Sequence, residues 1–293
     1  MSTVLDAVII GAGFSGLNAA RILRSAGKNI VVLEARDRVG GRTKHGQIAG
    51  LDVDLGGMWL APSQVRLVAL ADHMDVKRYP TFLAGKSVLT MAGKTGLVNG
   101  ENFTEFLNLP EKIQAYLLLR KINRLLSALD DSAPWDSSQS KVLDYTSVEA
   151  WLCKATKSER LRALIRVICA SLFCAETSQI SLLFFLTYLK GGGGLESMIS
   201  ADTGGGQNLL FDGGVHQIAR NMAQELGDYL HLNEPVHSID ASSTEAVVVT
   251  GLAQYKAKRV IVAVPPTLMN RINITPPLPG AQSALHNRVN MGS

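Results

Sequence analysis

Glycines 11, 13 and 16 form Gly-x-Gly-x-x-Gly, directly after an apolar run and at the head of a helical pattern. Each position has a physical reason. The first glycine allows a tight turn, the second lets a diphosphate approach the main chain, and the third lets helix and strand pack closely, with the helix N-terminus facing the anion. A glycine-rich turn in an ordinary sheet carries the same letters, so the motif counts only in its strand–turn–helix context. Glu34 lies 18 positions after Gly16, near the ~20 at which an acidic side chain accepts hydrogen bonds from an adenosine ribose. A carboxylate there repels a 2′-phosphate, which disfavours NADP and leaves NAD and FAD open. Beyond it, Arg36 and Arg42 bracket the pair Gly40-Gly41, and a second pair, Gly56-Gly57, stands between Asp54-Leu55 and Met58-Trp59. Paired glycines let backbone approach a flat ligand, and guanidinium groups add charge-assisted donors to phosphate oxygens. An extended dinucleotide is implied. Arg38 reads instead as a surface residue paired with Asp37 and Asp54.

Such residues need a scaffold, and the surrounding pattern supplies one. Val4 to Ile10 is apolar apart from Asp6 and reads as a strand buried on both faces; Phe14 to Ala26 has Leu17, Ala20, Ile22 and Leu23 at helical spacing and stops at Gly27. Ile30 to Leu33 is a second buried strand, completing a βαβ opening with ligands expected beyond the carboxyl ends of the strands. From Leu107 to Leu189 helical patterns dominate, with Asp131, Ser132 and Ser147 as capping residues and the runs Tyr116 to Leu119 and Leu182 to Phe185 as core. After Gly204 the first pattern resumes: a helix from His216 to Leu226, a short run from Leu230 to Leu232, and strands from Ala246 to Thr250 and Arg259 to Val264. The expectation is an α/β protein. Its Rossmann-like nucleotide-binding domain is discontinuous, residues 1–79 and 209–270, and is interrupted by a mostly helical domain of residues 80–208 and 271–293.

Composition narrows the function classes. Of 293 residues, 46% are hydrophobic and 18% charged, below the ~25% of an average soluble domain, so the chain folds rather than staying disordered. The net charge of +4 is small and the basic residues are dispersed, which points away from nucleic acid. Cys153, Cys169 and Cys174 are too few and too irregularly spaced for a disulfide framework or a zinc site, so no metal is expected and a reducing compartment fits. The longest apolar stretch, Ile180 to Leu189, falls short of the ~20 residues that span a bilayer.

The chain resembles the flavin-containing amine oxidase family, most closely its monoamine oxidase branch. The resemblance rests on Leu33-Glu34-Ala35-Arg36-Asp37-Arg38-Val39-Gly40-Gly41-Arg42-Thr43, Asp54-Leu55-Gly56-Gly57, Ala175-Glu176-Thr177, Phe211-Asp212-Gly213-Gly214, Glu234-Pro235-Val236 and Ala263-Val264-Pro265-Pro266, followed by Pro276-Pro277-Leu278-Pro279. It implies an FAD-binding Rossmann-like domain with an inserted helical substrate domain, and oxidation of an amine to an imine while oxygen becomes hydrogen peroxide. It places Gly11, Gly13, Phe14, Ser15 and Gly16 at the pyrophosphate and Glu34 at the ribose, with Ala35 beside it in the cofactor-binding set. Arg36, Gly41 and Arg42 fall along the phosphates. Gly56, Gly57, Met58 and Trp59 fall near the flavin ring, and Val236 falls at a backbone contact to adenine. Leu172 and Phe173 match a segment lining the substrate cavity, with plain core packing the competing reading. No acid, base or nucleophile is named. Polyamine, L-amino acid or polyene oxidation on the same fold, or a flavin-binding protein without turnover, are the alternatives. The chain matches the N-terminal portion of the family and is expected to be cytoplasmic and truncated.

Overall fold

The computed structural model describes residues 4–91, 93–99, 103–289 and 291. Their contacts divide the chain into two compact units. Of the described residues, 4–58, Val65–Tyr79 and 210–291 form the first; Trp59–Gln64 and 80–209 belong to the second.

In the first unit, β1 (Ala7–Ile10) and β2 (Ile30–Leu33) are buried along their whole lengths and run parallel, with Val8 opposite Val31. Burial on both faces is why they read as unbroken apolar runs. Val260–Val262 joins β1 and Leu230–His231 joins β2, both parallel, giving a four-stranded sheet. Between β1 and β2 runs α1 (Phe14–Ser25), which ends before Gly27 at φ +72°. It packs against the helix His216–Leu226, whose Ile218, Ala219, Met222 and Leu226 are buried at helical spacing. A second sheet holds Gln254–Ala257, Ala246–Thr250 and Val236–Asp240 antiparallel, with Asn273–Thr275 parallel at its edge. Val8, Ile10, Val31 and Leu33 share one core with Val236, Ile239, Val248 and Ala257, so the two sheets are packed into one body. A hairpin of β3 (His45–Ile48) and β4 (Leu51–Asp54) leads into the second glycine pair.

The second unit is mostly helical. Leu109–Ser127, Val148–Ala155, Glu159–Phe173 and Leu182–Gly191 surround a core that includes Ile122, Leu152, Ile165, Phe185, Leu186 and Leu189. Ser147, Ser158 and Ser181 each cap a helix by accepting a hydrogen bond from the amide three residues on. Asp131 and Ser132, expected as caps, are not. Asp130 instead closes that turn through the amides of Ser132 and Ala133, and Asp131 pairs with Lys190 at 2.7 Å. The expected core runs are also only half right: Leu118 and Phe185 are buried, whereas Tyr116, Leu117 and Phe184 are exposed. Four consecutive helical residues sweep a full turn, so such a run cannot face one core.

Two stretches group differently from the expected boundaries. Residues 59–64 lie with the helical unit, where Leu60 and Leu209 exchange backbone hydrogen bonds. Residues 271–291 lie with the first unit, because Asn273–Thr275 pairs along Val236–Asp240. Among the described residues no helix is long and apolar enough to cross a membrane.

Candidate functional site: a dinucleotide cradle

The three glycines of the first turn do different work. Gly11 has φ +101°, and a Cβ there would stand 3.1 Å from the Ala263 carbonyl oxygen. A Cβ on Gly16 would lie 1.9 Å from the Gly11 oxygen, so packing alone demands glycine there. Gly13 is unlike both. Its backbone is ordinary at φ −75° and ψ 177°, and a Cβ would meet nothing within 4 Å. Neither conformation nor packing inside the chain requires glycine at 13; what a side chain would fill is open space over the start of α1.

Gly13 is the N-cap of α1, with no side-chain cap and no acidic residue in the first turn. The amides of Phe14, Ser15 and Gly16 therefore have no acceptor within α1 and form an anion site at its N-terminus. Glu34 stands at the end of β2, where its Oε2 accepts from the Ala12 amide at 2.7 Å and its Oε1 from the Arg36 amide at 3.0 Å. That fixes the carboxylate against the glycine turn, and each oxygen keeps a second lone pair for a ribose hydroxyl.

The next loop closes over the same place. Gly40 donates its amide to the Ala12 oxygen at 2.9 Å, and a Cβ on Gly41 (φ +56°) would lie 3.3 Å from Gly13 Cα. Arg38 does not pair with Asp37 or Asp54 as expected. The left-handed turn at Gly40 and Gly41 presents carbonyls to it, and its guanidinium donates to Val39 O at 3.2 Å and Gly41 O at 3.0 Å. Arg36 and Arg42, by contrast, are exposed, and neither guanidinium has a partner among the described residues. Two cations are thus left available beside the uncapped amides.

Gly56 abuts this loop: a Cβ there would lie 2.0 Å from Arg42 O, and the Gly57 amide donates to that oxygen at 3.1 Å. A Cβ on Gly57 would make only an ordinary contact with Thr43 Cγ2 at 3.8 Å, and Met58 after it is half-buried. Trp59 falls in the second unit and is exposed. Asp54, whose role went unread in the sequence, accepts from the Val215 amide at 3.1 Å; a Cβ on Gly214 (φ +92°) would lie 2.8 Å from its Oδ1. The two distant glycine-pair motifs are therefore one structural joint. Val236 is buried at the start of its strand, where the register with Thr250 slips by a bulge. Within the second unit Leu172 and Phe173 are half-buried at the C-terminus of Glu159–Phe173, and the Phe173 ring contacts Phe184, Phe185 and Tyr188. A separate polar cavity of about 370 Å³, lined by His45, Asp52, His216 and Arg220 among others, contains none of the expected site residues; a dinucleotide backbone lies in an open groove, so enclosure is not its marker.

Open space at Gly13, uncapped amides and two free guanidinium groups fit a diphosphate. A family model for flavin-containing amine oxidoreductases matches residues 14–293. The chain belongs to that family. As a flavin-containing amine oxidoreductase it takes FAD, the dinucleotide that these features accommodate. It is 34% identical to human amine oxidase [flavin-containing] B over 295 residues, which cover 100% of this chain and 56% of that protein. Putrescine oxidase, solved with putrescine bound, superposes with a TM-score of 0.91 at 32% identity, over 97% of this chain and 63% of its own. Cyclohexylamine oxidase from Brevibacterium oxydans gives a TM-score of 0.87 at 28% identity, with the same coverage. The amine oxidoreductase chain therefore spans less than two thirds of the relatives it matches.

Proposed function

We propose that this protein oxidises a small amine to an imine with FAD, oxygen taking the electrons and leaving as hydrogen peroxide. Bound FAD would accept the hydride equivalent from the carbon beside the amine nitrogen. The chain's residues bind and orient. The α1 amides with Arg36 and Arg42 hold the diphosphate, Glu34 the ribose hydroxyls, and the Val236 main chain the adenine. The Gly56-Gly57-Met58 loop approaches the ring, and Trp59 follows that loop directly in sequence. Leu172 and Phe173 give the helical unit an apolar wall for substrate. Such a wall favours the neutral amine, whose lone pair drives the oxidation, so the rate should rise with pH. The likeness to putrescine oxidase favours a short alkyl amine or diamine. Three cysteines without disulfide partners support a cytoplasmic location, which cell fractionation tests.

The observation that carries the reading is the unobstructed Gly13 over uncapped amides. Purified protein should show a flavin spectrum after incubation with FAD, and one of putrescine, cyclohexylamine or benzylamine should bleach it and release peroxide. Flavin bound without bleaching by any amine would favour a flavin-binding protein without turnover. No flavin bound at all would remove the reading. A turnover rate flat across the range where the bound amine deprotonates would remove the neutral-amine account.

A further inference from the structure

Glu234 is a deeply buried acid near the cradle, with its side chain 5% exposed and, among the described residues, no basic residue against it except His231. Its Oε1 accepts from the Tyr255 hydroxyl at 2.7 Å and the Thr250 hydroxyl at 2.8 Å, while its Oε2 faces His231 Nδ1 at 3.0 Å. A carboxylate taken out of water is tolerated only when its lone pairs are met in this way. The partners come from two sheets. His231 belongs to the strand beside β2, whereas Thr250 and Tyr255 lie in the second sheet. Thr250 is itself fixed, its hydroxyl accepting from the amides of Leu252 and Ala253.

What this knot holds is the backbone next to the predicted ribose and phosphate groups. The Glu234 amide donates to Glu34 O at 2.9 Å, the Asn233 amide to Arg36 O at 2.9 Å, and the Glu34 amide to His231 O at 2.9 Å. Residues 231–234 thus clamp residues 34–36 from outside, and Val236 follows two positions on. We propose that Glu234 is a positioning residue for the adenosine end of the cofactor: its carboxylate locks the 231–236 turn, and that turn sets the Glu34 carboxylate and the Arg36 backbone. The inference rests on the FAD reading and adds a residue that itself touches no ligand atom. Glutamine is the informative substitution, because it removes the charge and turns one of the two acceptor oxygens into a donor, which must face either the two hydroxyls at Oε1 or His231 Nδ1 at Oε2.

The test is ADP binding, measured by calorimetry on the whole chain. Glu234→Gln should weaken ADP about tenfold, and Tyr255→Phe, which removes a single donor and keeps the ring, about threefold. Val248→Ala, a cavity in the same sheet's core, should lower the melting temperature yet leave ADP affinity unchanged. If Val248→Ala weakens ADP as much as Glu234→Gln does, the residue is merely structural and the proposal falls. Parent-like affinity in Glu234→Gln, or in Tyr255→Phe should the first variant be insoluble, also overturns it. Absence of ADP binding in the parent chain would instead remove the flavin reading, and this inference with it.

Discussion

At the scale of single residues, the glycines of the first turn separate what the fold needs from what the ligand needs. Gly16→Ala would drive a methyl group to 1.9 Å from the Gly11 oxygen, so the variant should lose several kcal/mol or fail to fold. Gly13→Ala should behave in the opposite way. Its φ of −75° suits alanine and its Cβ meets only open space, so the ~0.4–1 kcal/mol gained from the stiffer unfolded chain is offset by alanine's poorer N-cap preference, and the apo protein's stability should change little. The same methyl occupies the space required by a diphosphate, and FAD affinity should fall at least tenfold. Denaturant melts beside flavin titrations check both; a Gly13→Ala variant with parent affinity would show that the gap has another purpose. Both glycines were legible in the sequence because the motif is local. The structural roles of Glu234 and Asp54 were not, since their partners, Thr250, Tyr255 and the Val215 amide, come from remote segments and no spacing announces them.

At the scale of elements, the helical unit depends on a charged tie between the first turn of Val148–Ala155 and the middle of Glu159–Phe173. Glu149, in the first turn of Val148–Ala155, accepts from Arg166 Nη2 at 2.5 Å and from the Thr177 hydroxyl at 2.5 Å, while its amide donates to Thr177 O. The segment after Glu159–Phe173, with left-handed Cys174 and the Ala175-Glu176-Thr177 motif, is thereby pinned. The Arg166 guanidinium, followed by the Thr177 hydroxyl, holds the Glu149 carboxyl well below its usual range, at about 2. A depressed carboxyl pKa contributes stability that is complete above its unfolded value near 4.5 and is lost as pH falls toward 2. Melting temperature should therefore drop across that window, and Glu149→Gln should show a lower, flatter profile over the same range. A parent profile matching the variant's would exclude the tie as an acid-sensitive support. Ser147 could be read as a cap because the side chain's function is to serve its own helix. No spacing in the sequence announces Glu149 and Arg166, because their pairing crosses from one helix to another. The β3–β4 hairpin was missed for a related reason: His45–Ile48 and Leu51–Asp54 are four-residue strands with little apolar alternation.

At the scale of the whole molecule, the interruption of one fold by another was visible in the sequence, because apolar β runs give way to helical spacing and then return. The edge strand Asn273–Thr275 was not visible. Three residues carry no period, and only pairing with Val236–Asp240 assigns them to the first unit. The same division supplies a probe of where the dinucleotide binds. All three tryptophans, Trp59, Trp135 and Trp151, lie in the helical unit, whereas every residue proposed to hold the ADP half lies in the other. A ligand that binds only folded protein stabilises it by RT ln(1 + [L]/Kd), about 2.7 kcal/mol at a hundredfold excess over Kd. For a domain of this class that is a rise of several degrees in melting temperature. ADP at that concentration should raise the midpoint of the melting phase followed by far-UV circular dichroism, and leave the midpoint followed by tryptophan fluorescence in place. A fluorescence midpoint that climbs in step would mean that the two units melt as one cooperative block. A fluorescence midpoint that climbs alone would move the nucleotide to the helical unit, against the geometry of Gly13, Glu34, Arg36 and Arg42.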